Sequence, residues 1–540
     1  MNKHRGQWTA LAMATTAACF MGVAPSAEAA TAQSSTGQDL MSLGSVATAV
    51  TGLPDSTFSQ QEQQYQQPLT SSTGWRGFSH QNGRNITIQF KQNVDVEHVQ
   101  ITMEQNTGSG IYFPDDVQFE AEQNGQWHSL ATRYSSIPQS EQKTMTQTFQ
   151  ITLPSGVETS AIRIYFPVAV WVFARGLDVS GSTTAQGESP NSYPSVSSTS
   201  SDTGAMAPTS PNAAGIQNML LVETGAHGSE GTWSTSDFEP MVAYTDQTGK
   251  MTGSMFDTML FLPYGNVADT ETGWNNYLND LFTANQQLSA LDQAVALANQ
   301  ALNRPGYKEK VVLSIPYSPF GSHAFGTVNG QSLNFGGSGT DPNAVNARSA
   351  AMTWYVNTIL SRWKASNFQN LQLVGLYFDE EQYRENAPGE QDLMTAAEQL
   401  AHTNQLPLFW IPFYGANRSD QWNQLGFDAA WIQPNYVEQG NAANTIRISN
   451  AMETAKESGM GIEVELNGLD TSNQQLYDTF LNKLGVEGFG QNQVSHAFYD
   501  GSKLLVTAAN STDPNQRAVY DDTAAFIQGG TTGETSSSAS

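Results

Sequence analysis

Two short runs of the chain place carboxylates where a fold gains little by having them. One reads Tyr377-Phe378-Asp379-Glu380-Glu381, the other Gly461-Ile462-Glu463-Val464-Glu465-Leu466. Three consecutive carboxylates repel one another, so their pKa values spread apart. In the second run Glu463 and Glu465 share one face of a strand, while Ile462, Val464 and Leu466 take the other. Burying such groups is costly unless they are paired or solvated, and the surrounding sequence is poor in Lys and Arg. Serving as ion partners within the fold is the plain alternative. The chemical alternative is glycoside hydrolysis. One carboxyl protonates the leaving oxygen, and the other attacks the anomeric carbon or activates water.

Aromatic and amide residues accompany these runs. Phe409-Trp410-Ile411-Pro412-Phe413-Tyr414 and Trp431-Ile432-Gln433-Pro434-Asn435-Tyr436 each end an apolar stretch. Rings such as Trp410, Tyr414 and Tyr436 can stack on sugars or pack in a core. Gln433 and Asn435 alternate onto one side, where amides can bond hydroxyls. Pro316-Tyr317-Ser318-Pro319-Phe320-Gly321-Ser322-His323 reads as a substrate loop, with Tyr317 at its start. His323 by itself reads as a surface histidine. There is no His-Glu-x-x-His, cysteine cluster, Walker loop or Gly-x-Ser-x-Gly elbow. No cofactor or metal is expected, although carboxylates alone leave a metal site open.

The elements that must position these groups are short apolar runs alternating with helical patterns. The runs are Met219–Val222, Met259–Leu262, Val311–Ile315, Leu373–Tyr377, Leu408–Ile411, Ala430–Ile432, Ile462–Leu466 and Ala497–Tyr499. Between them, Leu288, Leu291, Val295 and Ala298 mark one helix face, and Met352, Tyr355, Ile359 and Trp363 another. Eight strands with intervening helices across 216–528 predict a (β/α)8 TIM barrel, whose active site lies at the strand C-termini. A doubly wound open sheet is the rival, but no glycine-rich phosphate turn follows the first strand.

The N-terminal half has a different grammar. From 67 to 181 apolar residues alternate, as in Ile86-Ile88-Phe90, Val99-Ile101-Met103, Val117-Phe119, Phe149-Ile151-Leu153 and Ile162-Ile164-Phe166. With turns at Asn82-Gly83 and Asn124-Gly125, this predicts an antiparallel β-sandwich of jelly-roll type. Trp75 is a possible sugar platform or an ordinary core or edge ring. Residues 30–66 read as a disordered tether, 182–215 as a Ser/Thr/Pro-rich linker and 529–540 as a disordered tail.

Residues 1–29 read as a signal peptide. Asn2-Lys3-His4-Arg5 is basic, Trp8–Val23 is apolar, and Ala27-Glu28-Ala29 suits signal peptidase. Export to the exterior or cell wall is therefore expected. The only cysteine, Cys19, falls inside that segment; lipid attachment there is disfavoured by Thr16. The mature chain then has no thiol, and no later stretch approaches the length of a membrane span. With 23 basic against 50 acidic residues the net charge is -27, which repels phosphate backbones and argues against nucleic-acid partners.

Several blocks taken together resemble a known family. They are Phe256-Asp257-Thr258-Met259-Leu260-Phe261, Ser314-Ile315-Pro316-Tyr317, Leu373 to Glu381, Trp410-Ile411-Pro412-Phe413, Leu425-Gly426-Phe427-Asp428 with Gln433-Pro434-Asn435-Tyr436, and Gly461 to Leu466. In this order they resemble the bacterial domain-of-unknown-function 4855 family, a barrel grouped by similarity with glycoside hydrolases. The resemblance aligns Glu380 with the family glutamate and leaves Glu381 as a neighbour. One departure is Leu376-Tyr377-Phe378 where the family carries Phe-Tyr-Trp. By analogy with retaining barrel glycosidases, Glu380 is the acid/base and Glu465 the nucleophile, with Glu463 tuning the pocket. A polysaccharide or oligosaccharide substrate is implied; a non-catalytic glycan-binding protein on a barrel scaffold is the alternative. The sandwich is similar to discoidin-like (galactose-binding-like) modules through Ser160-Ala161-Ile162-Arg163-Ile164-Tyr165-Phe166 and Gly176-Leu177-Asp178-Val179-Ser180-Gly181.

Overall fold

The computed structural model describes residues 37–529, apart from 81–82, 139–140, 142, 169, 197–203, 226–227, 229, 266, 322–323, 385–386, 491–492 and 502. The expected signal peptide, most of the C-terminal tail and His323 thus lie outside the described residues. The chain forms two compact units that divide between residues 200 and 201.

The first unit is an antiparallel sheet system built on two long strands, Gly83–Gln105 and Met145–Pro167, which pair along their length. Register shifts at Gln89/Val94 and Val96/His98 bend the pair, as bulges do. Strands Trp171–Ser182 and Val117–Gln123 pair with them on either side. The alternating residues named above, from Ile86 to Phe166, form the buried core.

Two boundary expectations are corrected here. The tether assigned to 30–66 is structured where it is described. Gly44–Val50 pairs residue for residue with Arg84–Phe90, and Ser56–Glu62 is a helix whose first turn is capped by Asp55. That strand is held by its backbone ladder with most side chains outward, so apolar burial left no mark on its composition. The linker assigned to 182–215 is also anchored at both ends. The Glu188 and Val196 amides donate to Gly156 and Trp127 carbonyls, and the Met206 amide donates to Met460.

The second unit is a closed barrel of eight parallel strands among the described residues. In chain order they are Asn218–Thr224, Thr258–Pro263, Glu309–Pro316, Leu371–Asp379, Leu408–Trp410, Ala429–Ile432, Gly461–Glu465 and His496–Tyr499. The eighth closes on the first through Ala497 opposite Met219 and Phe498 opposite Leu220. Alternation splits their side chains between two cores. Leu220, Val222, Leu376, Phe378, Ile462 and Val464 pack on the helix side. Leu221, Val312, Tyr377, Phe409, Ile411 and Trp431 fill the lumen. Two glycines make room for lumen rings: a Cβ at Gly375 would lie 2.2 Å from the Phe409 ring, and one at Gly461 2.2 Å from Trp431.

The expected (β/α)8 pattern is incomplete. Each connection but the fifth carries at least one α-helix; between Trp410 and Ala429 there is only a 3₁₀ turn at Ser419–Gln421. Phe427 from this irregular segment stacks on Trp410 at 4.8 Å and 7°. Together with Trp422 and Leu425 it covers the strand face that a helix would otherwise shield. Among the described residues no helix is long and apolar enough to cross a membrane.

Candidate active site

The fourth strand ends at Asp379, and alternation fixes what its tip presents. Tyr377 lies in the lumen core and Phe378 on the helix side, so Asp379 continues the lumen face. Glu380 follows the strand and turns toward the loops. Its Oε2 accepts from Arg384 Nη2 at 2.7 Å and Nε at 3.0 Å, and its side chain is 10% exposed. Burial pushes the Glu380 carboxyl up to about 7. Arg384 opposes that rise, while Glu390 and Glu381 add to it. Trp410 Nε1 donates to the Glu380 carbonyl at 2.6 Å, fixing the backbone beneath.

Behind this pair is a buried polar base. Glu390, from the helix Glu390–Thr403, pairs with Arg348 at 2.8 Å, both side chains almost wholly enclosed. Tyr317 Oη donates to Glu390 at 3.0 Å, and Arg348 Nε donates to the Ser318 carbonyl at 2.6 Å. The Arg384 guanidinium sits 5.5 Å from the Tyr317 ring centre. Burial raises the Glu390 carboxyl, with Arg348 and Tyr317 acting against it.

Across the chain, the seventh strand delivers Glu463 and Glu465, both buried. Ile462, Val464 and Leu466 face the helices, so both carboxylates take the lumen side, as alternation predicts. Glu465 is held by backbone. Its Oε1 accepts from the Asn435 amide at 2.6 Å and its Oε2 from the Tyr436 amide at 2.9 Å. Asn435 adopts a left-handed conformation, φ 48°, so the carboxylate pins a turn that would otherwise leave two amides without an acceptor. Burial pushes Glu465 well above the ordinary range, Glu438 and Glu463 push the same way, and the two amides oppose them.

The strand-five and strand-six residues divide. Gln433 is buried, donates to the Ile411 carbonyl at 3.0 Å and accepts from Asn435 Nδ2 at 3.1 Å. Asn435 Oδ1 accepts the Tyr414 amide at 2.7 Å. Tyr414 is half-buried, with Arg447 4.6 Å from its ring centre and Asn450 donating to its hydroxyl. Tyr317 and Glu381 are half-buried, Tyr317 with its hydroxyl on Glu390 and its ring beside Arg384. Two sugar-stacking expectations are corrected. Trp410 is fully buried against Phe427, and Tyr436 packs edge-on to Phe480 in the helix-side core. Neither presents a ring face to a ligand.

The sequence reading missed Arg384, Glu390, Arg348, Asp379 as a lumen group, and Glu438. Arg384 stands four residues after Glu380 and was findable by spacing. Glu390 and Arg348 sit on helices with no motif around them. Among the described residues no group of three or more His, Cys, Asp or Glu side chains is arranged to hold a metal ion.

A closed parallel barrel with carboxylates at its strand tips, preceded by an antiparallel module, defines the class of architecture. Residues 218–525 match the family described as Domain of unknown function (DUF4855), more than half of the chain, and the chain belongs to that family. Residues 44–173 match the F5/8 type C domain, the discoidin-like module. No curated protein matches the sequence. Among solved structures, the chain is similar to the CBM22-1–GH10 modules of Clostridium thermocellum endo-1,4-β-D-xylanase 10B with xylohexaose (9% identity, 82% of this chain and 90% of that one, TM-score 0.31). It is also similar to a Ruminococcus gnavus GH29 fucosidase mutant in complex with fucose (12% identity, 28% of each chain, TM-score 0.20). A chitosan-binding module from a Paenibacillus sp. IK-5 chitosanase/glucanase matches at 11% identity over 27% of this chain and 99% of that one, TM-score 0.18. The chain thus spans 28% of the length of the fucosidase it matches.

Proposed function

We propose that this protein is an exported glycoside hydrolase that cleaves an extracellular or cell-envelope polysaccharide through Glu380 and Glu465. The observation that carries the reading is Glu380 at the tip of the fourth barrel strand, its carboxyl raised to about 7 beside Arg384. A general acid works best when its pKa lies near the operating pH. At neutral pH Glu380 is protonated in a substantial fraction of molecules and can give its proton to the leaving oxygen. Arg384 then stabilises the carboxylate that remains, which can act as base toward water. Glu465 is the second carboxyl; burial holds it well above the ordinary range, and the Asn435 and Tyr436 amides act against that rise. Glu463, on the same face, tunes its charge. Tyr317, Glu381, Tyr414, Gln433 and Asn435 are the groups proposed to meet substrate. The barrel is read as a (β/α)8 scaffold whose fifth helix is replaced by the segment that stacks Phe427 on Trp410. The discoidin-like module is proposed to hold the polymer near the barrel.

A second reading is a non-catalytic glycan-binding protein. It is favoured by the occupation of both Glu465 oxygens by the strand-six turn, which is a structural task. Incubating the mature protein with bacterial and plant polysaccharides separates the two. Release of oligosaccharides by the wild type, lost in both Glu380→Gln and Glu465→Gln, supports the hydrolase. Retention on glycan columns without release supports the binder.

A further inference from the structure

We propose that Arg384 is the positioning residue for Glu380, fixing one carboxylate oxygen and setting the protonation of the group. This rests on the reading of Glu380 as acid/base. Both Arg384 contacts fall on Oε2, from Nη2 at 2.7 Å and Nε at 3.0 Å. A guanidinium gripping one oxygen through two nitrogens fixes the carboxyl plane more tightly than a single contact does. Oε1 lies outside that grip, and it is the oxygen that carries the transferable proton.

Arg384 is itself supported. Its guanidinium lies over the Tyr317 ring, an attractive arrangement for a cation. The Tyr317 hydroxyl is tied to Glu390, which is tied to Arg348. Arg348 reaches the Ser318 and Pro388 carbonyls, in the loops after the third and fourth strands. The chain of contacts Arg348–Glu390–Tyr317–Arg384–Glu380 therefore couples the strand-four tip to both loops. The charged and titratable groups that act on Glu380 are Arg384, Glu390 and Glu381, and Tyr317 lies beside them. Of these, Arg384 alone favours the ionised form. Glu390 acts against ionisation, but Arg348 compensates its charge. Removing Arg384 thus shifts Glu380 upward, toward retention of its proton.

The test is a carbon-detected titration of ¹³C-glutamate-labelled full-length mature protein, with the Glu380 signal identified by its loss in Glu380→Gln. The wild-type midpoint is expected near 7, and in Arg384→Gln it rises by about one unit or more. Arg384→Lys keeps the charge without the fork, and its midpoint stays within about half a unit of wild type. The basic limb of any polysaccharide-cleavage profile moves with the midpoint. Unchanged midpoints in folded Arg384→Gln, checked by far-UV circular dichroism, overturn the inference whatever the activity. If Arg384→Gln does not fold, Arg384→Lys decides: a wild-type midpoint with a cleavage rate lowered at least tenfold supports positioning, and an unchanged rate overturns it. A shifted Glu380 midpoint in a protein that releases nothing from any polysaccharide upholds the role of Arg384 and removes the hydrolase reading instead.

Discussion

The two strand tips that carry the candidate carboxyls solve the same problem by different means. At strand four, Glu380 is enclosed but opposed by a side-chain cation, Arg384, which is itself about one third exposed. At strand seven, Glu465 is enclosed and opposed by backbone amides from a left-handed turn. Burial raises both carboxyls. A salt-bridged side chain can release its partner by rotating, whereas amides in a pinned turn can release theirs only if the turn unwinds. The strand-four tip is thus suited to gaining and losing a proton, and the strand-seven tip to holding a fixed geometry.

Substitutions break that comparison most sharply at Glu380. Glu380→Gln should lower polysaccharide cleavage by about 10²–10⁴-fold, while stability in urea changes by only about 1 kcal/mol or less, because the Arg384 partner is partly solvated. Glu465→Ala should show the reverse balance in stability. Two buried amides lose their carboxyl acceptor, and the urea midpoint should fall by the equivalent of about 2–4 kcal/mol. Equal stability losses at the two sites would erase the distinction. A third expectation concerns Trp410, which lies under the strand-four tip. Trp410→Phe should cost about 1–2 kcal/mol through lost packing and the lost bond to the Glu380 carbonyl, with retention on glycan columns unchanged. Weakened retention would restore it as a ligand platform.

The smallest effect is a pH dependence of melting temperature. The folded Glu380 carboxyl titrates near 7, above its ordinary 4.5, so the folded state holds the proton more tightly than the unfolded chain does. Its contribution is present below about 4.5 and is lost as pH rises through about 7. Glu380→Gln should flatten that part of the melting profile. Asp500, also raised to about 7 by burial, contributes with the same sign and should be unaffected by the change.

The barrel was legible because each strand is a short apolar run, and two-sided burial leaves a continuous signal. Glu463 and Glu465 stood out as polar interruptions of such a run, and the structure places them on the lumen side as alternation requires. The sandwich core was legible through a different signal, the period-two alternation that one-sided burial leaves. Its edge strand Gly44–Val50 was not, because its outward side chains carry no apolar period. The missing fifth helix was hidden as well. Trp422, Leu425 and Phe427 supply apolar residues at the right density, and only their irregular backbone shows that they cover Trp410 without a helix. Aromatic residues at strand tips were ambiguous by type: Tyr414 reaches the rim, whereas Trp410 and Tyr436 point to the helix layer. The Arg348–Glu390–Tyr317 base joins residues more than thirty positions apart, and nothing local announces it.

The proposed cleavage of glycosidic bonds rests on Glu380 as the proton donor. It is tested most directly by measuring reducing ends released from a polysaccharide panel between about pH 5 and pH 9, for wild type and Glu380→Gln side by side. Release by the wild type is expected to fall on the alkaline side with a midpoint near 7, with little release by Glu380→Gln at any pH. Release by Glu380→Gln equal to wild type, or binding of a polysaccharide by the wild type with no release at any pH, would contradict it.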